Sequence, residues 1–372
     1  MYFSHILNFK NSSLKALIAV FITFLSFNSF AKQENDAAVS EVNEGSEIKG
    51  NGAKVEEKFD PTKIILEHIG DSHGFHLWGH TTMPLPVILF TPQGLEVFSS
   101  ANLMDEHHEP VAYKGKYYTY FNEEEHIEIL GADGKVDEEL SHQVYDFSIT
   151  KNVFSLFLAV IIIIFVFTSV SKSYKKRVGL APKGLQAWIE PLIIFIRDDI
   201  ARPNIGYKFE KFMPLLLTMF FFIWFNNMLG LIPIFPGSAN ITGNIAVTMV
   251  LAAVVLVVVN VNGNKYYWAH IFKPDVPFWL LPIMWVVEII GIISKPFALM
   301  IRLFANITAG HIIVLSLISL IFIFKSVAIA PVSVAFVMFM YVLELLVAFL
   351  QAFIFTMLTA LFIGSAVEEH HH

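Results

Sequence analysis

The chain has 372 residues, 55% of them hydrophobic and 36 of them Phe, with a mean hydropathy of +0.60. A soluble domain of this size cannot bury that much apolar surface, which excludes an ordinary globular enzyme and a disordered scaffold. There is no Cys, so disulfides, thiolate metal sites and cysteine nucleophiles are excluded, and a formal net charge of −7 argues against a nucleic-acid partner.

The charge is unevenly distributed. Residues 1–31 carry +2, residues 32–148 carry −15 and residues 149–372 carry +6, which divides the chain into three chemically distinct parts. The first reads as a secretory signal peptide, 1–31. Lys10 and Lys15 precede the apolar run Ala16 to Phe27, and Ser29-Phe30-Ala31 supplies small residues before a cleavage point. Residues 32–60 are polar and acidic, the composition of a disordered tether.

Residues 61–148 read as a small, mostly β exported domain. Val87 to Phe90 and Leu95 to Phe98 flank the turn Pro92-Gln93-Gly94. Lys116 to Phe121 and His126 to Leu130 are further strands, followed by the turn Gly131 to Gly134. The domain holds His68, His73, His76, His80, His107, His108, His126 and His142. His76 and His80 have a spacing that would share a helix face, but no metal or cofactor motif is complete.

The third part, 149–372, is a membrane domain. Val153 to Val170 can cross a bilayer, and Lys172, Lys175, Lys176 and Arg177 after it belong on the cytoplasmic side. In 185–205, Trp188, Leu192 and Phe195 alternate with Glu190, Arg197, Asp198, Asp199 and Arg202, as expected of an interfacial amphipathic helix that Pro191 and Pro203 interrupt. Phe212 to Phe235 and Ile245 to Val261 are the second and third crossings, and Lys265 and Lys273 follow on the cytoplasmic side. Two apolar stretches, 278–323 and 327–366, exceed one bilayer thickness and must be tilted, broken or partly laid along the membrane. The expected fold is an all-α polytopic membrane protein with five membrane-crossing helices, one interfacial helix and a small mostly-β exported domain.

Ionisable residues inside these last stretches are expensive, about 2.5–3.5 kcal/mol at a helix centre, and usually mark an ion path or a paired cavity. They are Glu288, Lys295, Arg302, His311 and Glu344, with Lys325 between. Lys295 and Lys325, near expected helix ends, read as snorkelling side chains. At 100° per residue with Arg302 at 0°, Asn306 and Glu288 fall at about 40° and His311 at about 180°. Arg302, Asn306 and Glu288 thus share a face, and His311 looks elsewhere. Glu344 and Gln351 share a face of the last helix. His311 and Glu344 can exchange protons near neutral pH, which suits a proton path better than a carrier pocket.

Ser294 to His311, SKPFALMIRLFANITAGH, closely resembles the signature of subunit a of F-type ATP synthases. Leu350 to Phe355 and the tail through Glu368-Glu369-His370 resemble that family's last helix and end, which makes the terminal histidines native. Asn227 to Pro233 resembles an earlier membrane segment. The resemblance covers about 150–372 and leaves 61–148 unassigned. It implies the stator half of a proton turbine in a bacterial inner membrane, with the N-terminal domain periplasmic and the C-terminus cytoplasmic.

The resemblance also implies two half-channels that serve the carboxylates of a rotating ring of c subunits. Arg302 separates the channels, Asn306 and Gln351 are its polar neighbours, and Glu288 is a channel-lining acid. Some relatives exchange the residues found here as His311 and Glu344, which implies that the two work as one relay. The implied partners are the c ring, b-type peripheral stalk subunits, the rest of the F1F0 complex and the lipid bilayer. No ATP site falls on this chain, so it is a non-catalytic subunit. The rival reading is a secondary ion-coupled transporter with a midplane site, which should show internal repeats that are not seen here.

Overall fold

The computed structural model describes residue 65 and residues 70–368, apart from 79–80, 105–110, 116, 122–126, 132–134, 233–234, 236, 238, 275 and 325–328. The expected signal peptide and tether, His68, His80, His107, His108, His126, Lys325 and the terminal histidines lie outside the described residues.

The N-terminal part is a small β region. Strands β1 (Gly74–Trp78) and β2 (Thr81–Pro84) form a two-stranded antiparallel sheet. β3 (Pro86–Thr91) and β4 (Gly94–Ser99) form the expected hairpin, in register from Pro86↔Ser99 to Thr91↔Gly94. Only Pro92 and Gln93 connect them, and Gly94 takes φ 103, a conformation that side chains with a Cβ rarely tolerate. β5 (Tyr113–Lys114), β6 (Tyr118–Phe121) and β7 (Ile127–Leu130) make a third sheet. The short helix α1 (Glu138–Ser141) then leads to β8 (Tyr145–Asp146), which pairs with β3. Val87, Leu89, Phe98, Leu103 and Phe121 form the core of this region. His76 lies in β1, so the helix-face spacing expected of His76 and His80 does not arise there. Among the described residues no group of three His, Asp or Glu is arranged to hold a metal ion.

The rest is helical. α2 (Lys151–Lys176) starts directly below β8, with Lys175 and Lys176 in its last turn, where the helix dipole favours cations. α3 (Leu185–Phe195) passes through Pro191 without breaking. A π-helical turn at Ile196–Ala201 follows, closed by Arg202 N–H donating to Arg197 O. α4 (Arg202–Ile205) carries Pro203 in its first turn, where its missing N–H costs little. The prolines therefore do not interrupt 185–205 as expected. The break comes at Gly206, φ 72, just before α5 (Phe209–Gly230).

α6 (Ile245–Val261) is capped by Asn244, and α7 (Lys265–Phe272) turns sharply away from it, by 99°. α8 (Leu281–Phe324) and α9 (Ala330–Val367) are long hairpin partners. At 1.5 Å per residue they run about 66 Å and 57 Å, roughly twice a bilayer core, and neither is broken, which leaves tilt or a course partly along the membrane of the three expected solutions. Among the described residues four helical stretches are long and apolar enough to cross a membrane, or five if the bent α6–α7 pair counts as one.

The helical core lies where α2, α5 and α9 meet. Phe220 packs edge-on against Phe221 and Phe349, and Phe221 against Phe167, at ring separations of 4.9–5.7 Å. Gly364 lets α9 approach α4 so closely that an added Cβ would collide with the Asn204 carbonyl. The buried hydroxyls of Thr356 and Thr359 donate to carbonyls one turn back, 2.8 Å each, and so cost little inside this apolar packing. The aromatic contacts pack α9 against α5, and the close approach at Gly364 packs it against α4.

Candidate functional site

A small cavity of about 10 Å3, room for about one water, opens between α5, α8 and α9. Asn227 from α5, Asn306 and His311 from α8 and Glu344 from α9 line it. Glu344 is only 8% exposed, and among the described residues neither of its carboxylate oxygens has a hydrogen-bond partner. A buried carboxylate without donors is a polar group that a hydrogen-bonding or charged guest would satisfy. Gly310, next to His311, makes the room: a Cβ there would stand 2.5 Å from Glu344 Oε1. His311 and Glu344 share the cavity without an ion pair between them among the described residues.

Asn227 holds this site together. Its amide Oδ1 accepts from the Thr242 hydroxyl at 2.6 Å, and its Nδ2 donates to the Ala348 carbonyl, one turn beyond Glu344, at 3.3 Å. Thr308 Oγ1 reaches Gly243 O at 3.5 Å, which ties α8 to the same loop. Both Asn227 and Thr242 are almost fully buried, so their polar atoms must satisfy each other, and this pins three helices about the cavity.

A second cavity of about 20 Å3 lies toward the other end of the α8–α9 hairpin, lined by Asn260, Tyr267, Lys295, Pro296, Phe362 and Ser365 among others. Tyr267 Oη donates to Asn260 Oδ1 at 3.2 Å, and Lys295 Nζ lies 5.8 Å from the centre of the Phe362 ring. Pro296 leaves the Ile292 carbonyl without its helical donor, and Ile292 also lines this cavity.

Along α8, Arg302 falls between Pro296 of the second cavity and Asn306 of the first. Along α9, Gln351 falls between Glu344 and Phe362. Gln351 is buried, while Arg302 is exposed on the apolar outer surface of the hairpin. Among the described residues no carboxylate lies within 4 Å of the Arg302 guanidinium and none donates or accepts a hydrogen bond with it.

The expected site residues are thus distributed as follows. His311 and Glu344 line one cavity. Asn306 lines the same cavity while staying, like Arg302, on the exposed side of α8: it borders one edge of the seam formed by Leu299 and Leu303, and His311 borders the other. Glu288 lines neither cavity. It faces His270 of α7, with Nδ1 and Oε1 3.6 Å apart. Lys295 lies well inside α8, so the reading of it as a helix-end snorkel is corrected. Asn227 was not singled out as a site residue, although the amide pair Asn226-Asn227 inside an apolar helix was a visible signal.

The family model described as ATP synthase A chain matches residues 153–364, more than half of the chain. The chain belongs to this family, subunit a of the F-type ATP synthases. ATP synthase subunit a of Chloroherpeton thalassium is 48% identical over 233 residues, covering 61% of this chain and 69% of that protein. ATP synthase subunit a 2 of Chlorobaculum tepidum is 49% identical over 230 residues, covering 60% of this chain and 64% of that protein. ATP synthase subunit a of Myxococcus xanthus is 44% identical over 234 residues, covering 61% and 75%. A second model, a domain of unknown function (DUF8433), matches residues 64–147. The subunit a family match therefore spans the helical part, and the second match falls on the β region.

Proposed function

We propose that this chain is the proton-conducting stator subunit of an F-type ATP synthase, in which Arg302 separates two half-channels that serve the carboxylates of a rotating c ring. The observation that carries the reading is the exposed Arg302, without a partner among the described residues, which lies along α8 between Pro296 of one cavity and Asn306 of the other. A guanidinium is always protonated, and leaving it against lipid costs about 2.5–3.5 kcal/mol on insertion scales. A carboxylate arriving from a neighbouring subunit offsets that cost and loses its proton on approach.

In this reading the cavity of His311 and Glu344 is the inlet half-channel, with Asn306 beside it. The cavity of Lys295 and Tyr267 leads toward the outlet, near Glu288. Gln351 and Asn306 flank the arginine's track. Residues 1–31 are a signal peptide, 32–60 a tether, 61–148 a periplasmic domain and 149–372 the proton channel. The helices then cross a bacterial inner membrane five times and leave the C-terminus cytoplasmic, and b-type stalk subunits hold the chain against the ring. Each charge moved through 100 mV releases about 2.3 kcal/mol, so several protons are needed per ATP, and the ring sets their number.

Copurification tests this reading. Solubilised in mild detergent from its native membrane, the chain should carry with it a ring of small hairpin subunits. Isolation as a self-sufficient carrier, active in ion uptake with no such ring, would contradict it.

A further inference from the structure

The β region is not appended loosely to the helices. Lys151 N–H, the first of α2, donates to Ser72 O at 2.8 Å, and the next, Asn152 N–H, donates to the Asp71 carboxylate at 3.0 Å. Thr150 Oγ1 accepts the third, from Val153, at 3.4 Å. The start of α2 is therefore capped from the β region, and Asp71 puts a negative charge where the helix dipole is positive. Strand pairing continues to the same point, since Ile149 N–H donates to Pro86 O at 3.1 Å.

Three phenylalanines make the second attachment. Phe75 of β1, fully buried, meets Phe154 of α2 and Phe235 edge-on at 5.4 Å and 5.3 Å, and Phe154 lies 5.9 Å from Phe235. Phe235 belongs to the loop 231–244 that joins α5 to α6. That loop begins at Leu231, a wall of the cavity containing Glu344, and ends at Thr242 and Gly243, whose bonds to Asn227 and Thr308 hold the remaining walls. Near its start Gly237 lies so close to Ile232 that a Cβ there would collide with the Ile232 carbonyl. Edge-on aromatic pairs are favoured geometries, so Phe75 holds the Phe235 ring in a defined place.

We infer that the β domain braces the inlet wall: Phe75, seated between Phe154 and Phe235, holds the 231–244 loop against Asn227 and so sets how far the His311–Glu344 cavity opens. This gives the domain of residues 64–147 a function, that of a positioning element for the proton inlet, with Phe75 and Phe235 as positioning residues. Its consequence for proton flow rests on the reading of that cavity as the inlet, while the bracing itself does not.

The chain has no cysteine, so a single Leu231→Cys reports on the wall alone. The experiment labels this thiol with a membrane-impermeant maleimide in the assembled complex, with and without Phe75→Ala, Phe235→Ala and the pair. Bracing predicts labelling several-fold faster in each single variant and no further increase in the double, because each removes the same contact. If Phe75→Ala blocks assembly, Phe75→Leu, which keeps apolar bulk but removes the ring edge, replaces it with the same expectation. Unchanged labelling in the Phe75 variant, or additive effects in the double, overturns the brace. Proton uptake measured in parallel separates the two ideas: faster labelling with unaltered proton uptake leaves the brace standing and removes the inlet reading.

Discussion

Gly310 on α8 and Glu344 on α9 are matched in shape: a Cβ at Gly310 would stand 2.5 Å from Glu344 Oε1 and 3.3 Å from its Cγ. The carboxylate is seated against helix backbone, beside His311, in a space that only a glycine leaves open. Gly310→Ala therefore displaces the carboxylate without adding or removing charge. Misplacing a reacting group by about 1 Å can cost up to ~100-fold in rate. We predict that proton flux through the assembled complex falls by about tenfold or more while the amount of complex in the membrane stays near normal.

The shared cavity makes a second prediction about His311 and Glu344. If the two act as one relay, what matters is the pair and not which helix carries which group. His311→Glu and Glu344→His should each impair growth on a non-fermentable substrate, and the double exchange should recover part of it. A double variant worse than both singles would show that the groups act separately.

Gly364 tests the scaffold and leaves the site untouched. A side chain there meets the Asn204 backbone carbonyl, which cannot rotate away. Overpacking of this kind costs about 1–3 kcal/mol. Gly364→Ala should lower the thermal unfolding midpoint of the purified complex and the yield of assembled subunit, measured by native gel. Its effect on flux per assembled complex should be small.

The parts legible in the sequence were those where a local rule had no competitor. The β3–β4 hairpin follows from alternating apolar residues around Pro92-Gln93-Gly94, and Arg302 and Glu344 stand out because charge is costly among apolar neighbours. The parts that were not legible depend on several elements at once. A helical wheel orders Asn306 and His311 about one axis, but the cavity they share is closed by α5 and α9, which no wheel contains. Pro191 and Pro203 read as interruptions, although the π-helical turn between them keeps the backbone bonded. The attachment of Phe75 to Phe235 joins residues far apart in sequence and left no local pattern.

The central claim is that Arg302 separates the two paths and draws the proton from an incoming carboxylate. The most direct measurement is ATP synthesis driven by an imposed proton gradient in vesicles that hold assembled complex with Arg302→Ala. The account predicts that synthesis is lost although the complex is present in normal amount. Synthesis at the normal rate in that variant would contradict it.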